Sequence, residues 1–325
     1  MTQEHSQQRE RALVALQAGR RVALFSHINP DGDTLGSALA LAHGLRQMGK
    51  EAQVYCADQL PGNLAFLPGF AAIRRADTLP SGFDLAVYVD SGDVNRFGNP
   101  TQEAEATQPL LLNVDHHATN HYFGDVNLVN RSAAATGEEV YDLLQAMGVE
   151  ITPAIATCLL TALITDTRAF RTPSTTPRTL AIASDLFARG APLALIVDSV
   201  YHNRSFPTLR LWGLSLERLR HERGLAWTEI TEEMQAIADA SPSEGDGVID
   251  LMASLSGVRA VALFKETTDG IKVSLRATNG VDVADVAAHF GGGGHPRASG
   301  CLVRGSLVAV EREVLQRLAE SSGVR

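Results

Sequence analysis

Short apolar runs at Val22–Phe25, Gln53–Tyr55, Leu85–Val89, Leu110–Val114 and Val126–Val129 read as strands, and stretches with helical spacing lie between and after them. Leu35–Met48 is such a stretch and stops at Gly49; Thr136–Met147 stops at Gly148. Pro153–Ile164 reads as a buried helix, with proline in the first turn where it is tolerated. Parallel strands need crossover connections, so this alternation predicts an α/β fold with an N-terminal, doubly wound, mainly parallel sheet.

A smaller mixed α/β unit is expected downstream. Its elements are a helix at Leu209–Leu219, strands at Leu225–Ile230, Arg259–Phe264 and Ile271–Arg276, and a helix at Val281–Phe290 that Gly291–Gly294 breaks. A strand at Cys301–Val303 and a closing helix at Leu307–Ala319 follow. Gly190, Pro192 and the polar run His202-Asn203-Arg204-Ser205 mark a junction, giving domains over residues 1–188 and 208–325 with a linker at 189–207. A length of 325 residues suits two domains.

The formal net charge is −9, which excludes coating of long nucleic acid by bulk charge; a polyanion must meet a local basic patch or a bound cation. Three widely spaced cysteines (56, 158 and 301) argue against a disulfide framework or a cysteine zinc site and fit a reducing cytoplasm. The polar stretch Met1–Arg11 is unlike a signal peptide, and the longest apolar stretch is too short to span a membrane. No membrane association is therefore expected.

Four ionisable clusters stand at the ends of the expected elements. His27-Ile28-Asn29-Pro30-Asp31-Gly32-Asp33 follows the first strand and places an imidazole and two carboxylates in one turn; alone it also suits a helix cap. Asp90-Ser91-Gly92-Asp93 follows Leu85–Val89, and alone suits a turn. Asp115-His116-His117 follows Leu110–Val114, where adjacent imidazoles suit metal binding or proton transfer. Asp166 ends an apolar helix, where the dipole disfavours an anion unless a cation is near or the side chain is simply exposed. Ligands of open α/β sheets bind beyond the carboxyl ends of strands. Five aspartates gathered there with three histidines repel strongly without cations. Oxygen-rich sites with some imidazole favour Mn²⁺, Mg²⁺ or Fe²⁺ over structural zinc, and paired ions are a standard device for attack on phosphorus.

The order His-x-x-Pro-Asp-x-Asp, Asp, Asp-His-His, Asp resembles the DHH phosphoesterase superfamily. Gly291–Gly294 followed by His295-Pro296-Arg297-Ala298-Ser299-Gly300 resembles the signature of its DHHA1 substrate domain. Size and two-domain plan are similar to the nanoRNase/pAp phosphatase branch; RecJ-type exonucleases are larger and carry an OB-fold domain not found here. The resemblance implies two divalent ions, Mn²⁺ first and Mg²⁺ as the alternative. His27, Asp31 and Asp90 would hold one; Asp33, Asp90, His116 and Asp166 would hold the other. It further implies that Asp115 orients His116, that His117 faces the substrate phosphate as charge stabiliser or proton donor, and that Arg96 lies near the active site.

The C-terminal signal also has a direct physical reading. Glycines at 293 and 294 expose backbone N–H groups, and His295, Arg297 and Ser299 add donors, while Arg276 can fork onto a phosphate. Residues 257–304 carry six Lys/Arg against four Asp/Glu, a basic stretch in an acidic chain. The expected activity is hydrolysis of short RNA oligonucleotides and 3′-phosphoadenosine 5′-phosphate to mononucleotides, the second domain gripping the nucleotide away from the scissile group. Hydrolysis of linear or cyclic dinucleotides, a RecJ-like short-substrate DNA exonuclease, and a non-catalytic nucleotide- or RNA-binding module are the alternatives. An inorganic pyrophosphatase shares the metal motifs but resembles a different second domain. A homodimer is compatible with all of these.

Overall fold

The computed structural model describes residues 3–76, 78, 80–98, 109–202, 204–277 and 281–321. It divides into two compact units, Met1–Asn203 and Arg204–Arg325.

The first unit carries β1 (Arg21–Ser26), β2 (Glu51–Cys56), β3 (Arg74–Arg75), β4 (Leu85–Val89), β5 (Leu110–Asp115) and β6 (Val126–Val129). They form one sheet in the order β3-β2-β1-β4-β5-β6, and every pairing is parallel. The order reverses between β1 and β4, so the sheet is doubly wound with its switch point there. Around it lie α1 (Gln3–Ala18), α2 (Gly32–Gln47), α3 (Thr136–Ala146), α4 (Pro153–Asp166), α5 (Pro177–Ala188) and α6 (Leu193–Val197). Beneath one sheet face, α2 and α4 bury apolar side chains over most of their length. Their contact is close because two glycines permit it: a Cβ on Gly36 would lie 2.4 Å from the Cys158 carbonyl oxygen, and one on Gly32 2.4 Å from Thr165 Cγ2. The opposite face holds an aromatic cluster of Phe25, Tyr55, Tyr88 and Phe97.

Helix α1 was not legible in the sequence. Its first turns are polar, and it is fastened by Arg9, which pairs with Glu139 and with Asp142 at 2.7 Å. Nor is most of the stretch read as a linker extended: α6 continues into a π-helical turn, Asp198–His202. Ile196 belongs to the first unit's core, and the Tyr201 hydroxyl donates to the Ile164 carbonyl at 2.9 Å. The division between units thus falls at the far end of that stretch; Asn203 lies outside the described residues.

The second unit holds α7 (Phe206–Glu217), β7 (Arg220–Glu222), β8 (Leu225–Ile230), α8 (Glu232–Ala238), α9 (Val248–Met252), β9 (Ala260–Thr267), β10 (Gly270–Ala277), α10 (Val283–His289), β11 (Gly293–His295), β12 (Ala298–Val303) and α11 (Leu307–Ser321). Its sheet runs β11-β12-β10-β9-β8-β7, parallel only at β8–β9. The mixed α/β expectation holds. The glycine run does end the preceding helix, but Gly293 and Gly294 then pair with β12 as an edge strand. Among the described residues no single helix is long and apolar enough to cross a membrane.

Candidate metal centre

The carboxyl ends of β1, β4 and β5 bring the four clusters together with the end of α4. Asp31 caps α2, accepting the N–H groups of Asp33 at 3.0 Å and Thr34 at 3.1 Å. This cap turns the chain so that Asp33 enters the interior, where it is fully buried. Its Oδ2 accepts from Thr136 N at 2.7 Å, and its Oδ1 from Gly137 N and Ser37 Oγ, each at 3.0 Å. Asp33 thereby supplies the N-terminal acceptor that Ala135 cannot give α3.

Asp90 occupies the centre. It leaves β4 with φ at 67°, a left-handed conformation uncommon for a non-glycine residue, and Thr136 Oγ1 donates to its Oδ1 at 2.8 Å. Its Oδ2 lies 3.5 Å from His27 Nε2, and its Oδ1 3.6 Å from His116 Nε2. His116 Nε2 also lies 3.5 Å from Asp166 Oδ2 and 3.9 Å from Asp33 Oδ2. His27 Nε2 is 4.0 Å from Asp31 Oδ1. Among the described residues three groups have ligand-compatible spacing, His27 with Asp31 and Asp90, Asp33 with His116 and Asp166, and Asp90 with His116 and His117; Asp90 faces His27 and His116 with different oxygens.

The fit to cations can be judged from His116. Its Nε2 is buried and makes no hydrogen bond, although carboxylate oxygens surround it. A buried polar atom left in this state is costly unless something else occupies the space between. Burial, then the charges of Asp90, Asp166 and Asp31, push the Asp33 carboxyl well above its ordinary range. Burial and neighbouring carboxylates raise Asp166 to about 6 despite His116. Burial would raise Asp90 too, but hydrogen bonding to His27 and the nearby imidazoles hold it well below the usual range. Four carboxylates (Asp31, Asp33, Asp90 and Asp166) face His27 and His116 here, and divalent cations would supply the balancing positive charge.

The structure corrects one expected pairing. Asp115 engages His117, whose Nδ1 lies 2.7 Å from Asp115 Oδ1; His116 Nδ1 instead faces the Ala133 carbonyl at 3.2 Å. Burial of His117 alone would lower its pKa, but the Asp115 hydrogen bond and the charges of Asp90 and Asp115 raise it to about 9. Asp115 is fully buried and takes a further hydrogen bond from Asn120 Nδ2 at 2.6 Å. Arg96, on a short 3₁₀ turn, places Nη2 3.1 Å from His27 Nδ1, which also lies 2.8 Å from the Ile28 carbonyl. Thr136, Ser37 and Asn120 were missed by sequence reasoning. Their types are common, and the partner carboxylates identify them only once the chain is folded.

In the second unit, Arg276 on β10 stands opposite Ala298, and Ala298 opposite His295, so the three form a row across β10, β12 and β11. Arg276 Nε donates to Asp250 Oδ1 at 2.9 Å. Gly293, Gly294, His295 and Arg297 are exposed. Ser299 departs from the expected donor set: it is buried, and its hydroxyl donates to the His295 carbonyl at 2.6 Å, shaping the hairpin.

Residues 21–163 match the model of the DHH family, N-terminal domain, and residues 233–321 that of the DHHA1 domain. The chain is 34% identical over 287 residues to the bifunctional oligoribonuclease and PAP phosphatase NrnA of Thermus thermophilus, covering 87% of this chain and 84% of that one. A crystal structure of an exopolyphosphatase-related protein from Bacteroides fragilis superposes with a TM-score of 0.89 at 27% identity, over 96% of both chains. A probable manganese-dependent inorganic pyrophosphatase of Streptococcus mutans is 29% identical over 169 residues, 51% of this chain and 54% of that one. With both domains matched in order around a divalent-metal-type carboxylate and histidine cluster, the chain belongs to the DHH family of phosphoesterases and carries a DHHA1 domain.

Proposed function

We propose that the protein hydrolyses short oligoribonucleotides and 3′-phosphoadenosine 5′-phosphate to mononucleotides, using two divalent ions, Mn²⁺ first among them. The observation that carries this reading is the buried, unbonded His116 Nε2 ringed by three carboxylates, in a chain so similar over its length to an oligoribonuclease and PAP phosphatase. The pyrophosphatase likeness spans only 51% of the chain, which favours a nucleotide substrate over pyrophosphate. Three buried free cysteines fit a reducing cytoplasm.

In this reading His27, Asp31 and Asp90 hold one ion, and Asp33, Asp90, His116 and Asp166 the other. Bound divalent ions supply Lewis acidity, neutralising phosphoryl charge and making water a nucleophile near neutral pH. Asp115 fixes a proton on His117 Nδ1, because an ionised carboxylate only accepts, and its charge favours the doubly protonated ring, whose Nε2–H then donates to the leaving oxygen or stabilises its charge. Arg96 acts beside His27 on the phosphate, and Arg276, His295 and Arg297 take the far end of the nucleotide. The hairpin glycines, Gly293 and Gly294, allow close approach of the substrate.

The test is a graded substrate set in Mn²⁺: the bisphosphate, RNA of two to about ten nucleotides, matching DNA, diadenylates and pyrophosphate. Cleavage of short RNA and the bisphosphate, abolished in Asp90→Ala, is the expected result. Turnover of pyrophosphate alone refutes the substrate assignment.

A further inference from the structure

We propose that Tyr122, on the segment that Asn120 ties to Asp115, is a stacking platform for a substrate nucleobase; the proposal rests on the oligoribonuclease reading above. Tyr122 lies in the connection from β5 to β6 and is 43% exposed. Its φ is 54°, a left-handed conformation that few bulky side chains adopt. Strain of this kind persists only where the surroundings enforce it, and it clusters at ligand sites.

Here the enforcing group is Asn120. Its Oδ1 accepts the Tyr122 N–H at 2.6 Å, while its Nδ2 donates to Asp115 Oδ2 at 2.6 Å and to Asn113 Oδ1 at 2.7 Å. The amide that holds Asp115, and through it His117, therefore also fixes the Tyr122 backbone. On either side the chain is anchored: His121 N donates to the Gly92 carbonyl at 2.9 Å, and the Phe123 ring packs 5.6 Å from that of Tyr88. The Tyr122 ring between these anchors is left exposed, so its strain is not offset by burial.

The ring is also held in orientation. The Arg131 guanidinium lies over it, 5.8 Å from the centroid. Arg131 follows Asn130, whose N–H donates to the Asp115 carbonyl at 2.9 Å. Tyrosine and arginine thus approach each other from two segments that are both tied to Asp115. An exposed aromatic face beside a guanidinium suits a base that stacks and a phosphodiester that carries negative charge. Stacking of this kind is tolerant of base identity, so the subsite would select nucleotides over other phosphate esters without reading sequence.

The test compares KM and kcat in Mn²⁺ for a 5′-phosphorylated diribonucleotide and for its abasic counterpart, which keeps both riboses and the phosphodiester. Tyr122→Ala is expected to raise KM roughly 5- to 100-fold for the base-bearing substrate. It should leave KM for the abasic substrate and kcat for both nearly unchanged, and Tyr122→Phe should restore wild-type values. Tyr122→Gly separates stacking from folding: glycine takes positive φ freely, so this variant should melt no lower than wild type yet lose the same base-dependent affinity. Equal changes on both substrates, or none on either, overturn the proposal. Failure of the wild type to hydrolyse either substrate refutes the oligoribonuclease reading itself, and the stacking role with it.

Discussion

Asp115 Oδ1 lies 2.7 Å from Nδ1 of His117, whereas the ring of the adjacent His116 rests on a backbone carbonyl. The carboxylate therefore fixes the proton on His117 Nδ1 and leaves the tautomer of His116 to a backbone carbonyl. Asp115→Asn should keep the fold and Mn²⁺ affinity but lower kcat by on the order of 10²- to 10⁴-fold, since an amide permits the wrong tautomer. Parallel measurement of kcat and Mn²⁺ binding checks this. A loss confined to metal binding would place Asp115 behind His116 after all.

The pH dependence of the metal-free protein has a definite sign. Asp33, Asp166, His27 and His117 all have folded pKa values above their ordinary ones. Each contributes stability that is present below its unfolded pKa and lost as pH rises through its folded value. Chelator-treated protein should therefore lose thermal stability between about pH 5 and pH 9. The rise in Tm on adding Mn²⁺ should be larger at pH 7.5 than at pH 5.5. Scanning calorimetry with and without Mn²⁺ across this range decides the point; a difference that shrinks as pH rises contradicts it.

The same shifts predict proton release. Asp166, raised to about 6, must lose its proton to act as a ligand. Calorimetric titration of Mn²⁺ at pH 6 in buffers of different ionisation enthalpy should report net proton release, falling away at higher pH. Release that does not change between pH 6 and pH 8 would exclude Asp166 as its source.

Gly36 sets the distance between α2 and α4, because an added Cβ would meet the Cys158 carbonyl oxygen at 2.4 Å. Gly36→Ala should destabilise by roughly 1–3 kcal/mol and weaken Mn²⁺ binding, as Asp33 shifts away from Asp166. Gly49→Ala serves as the control: its φ of 77° strains alanine, but nothing lies within 4 Å of the new Cβ, so metal affinity should not change. Urea unfolding and Mn²⁺ titration separate the two.

Much of the first sheet was legible because its strands are short buried runs, and β4 and β6 end where the apolar runs end. The gathering of carboxylates and histidines was legible because His27, Asp90 and Asp115 stand at the ends of those runs, and Asp166 at the end of an apolar helix. Other features depended on long-range partners. Helix α1 opens with a polar stretch and is fastened by ion pairs to Glu139 and Asp142. Strand β11 contains two glycines, which seldom indicate a strand, and its pairing with β12 defines it. The partner of Asp115 could have been inferred: in an extended chain residues i and i+2 point the same way, which selects His117 over His116.

The most direct test of the account is hydrolysis of a 5′-phosphorylated diribonucleotide by chelator-stripped protein, before and after addition of Mn²⁺. The account predicts no turnover in the stripped protein and restored release of mononucleotides with Mn²⁺, with Asp90→Ala inactive in both conditions. Undiminished turnover after stripping, or a fully active Asp90→Ala variant, would contradict it.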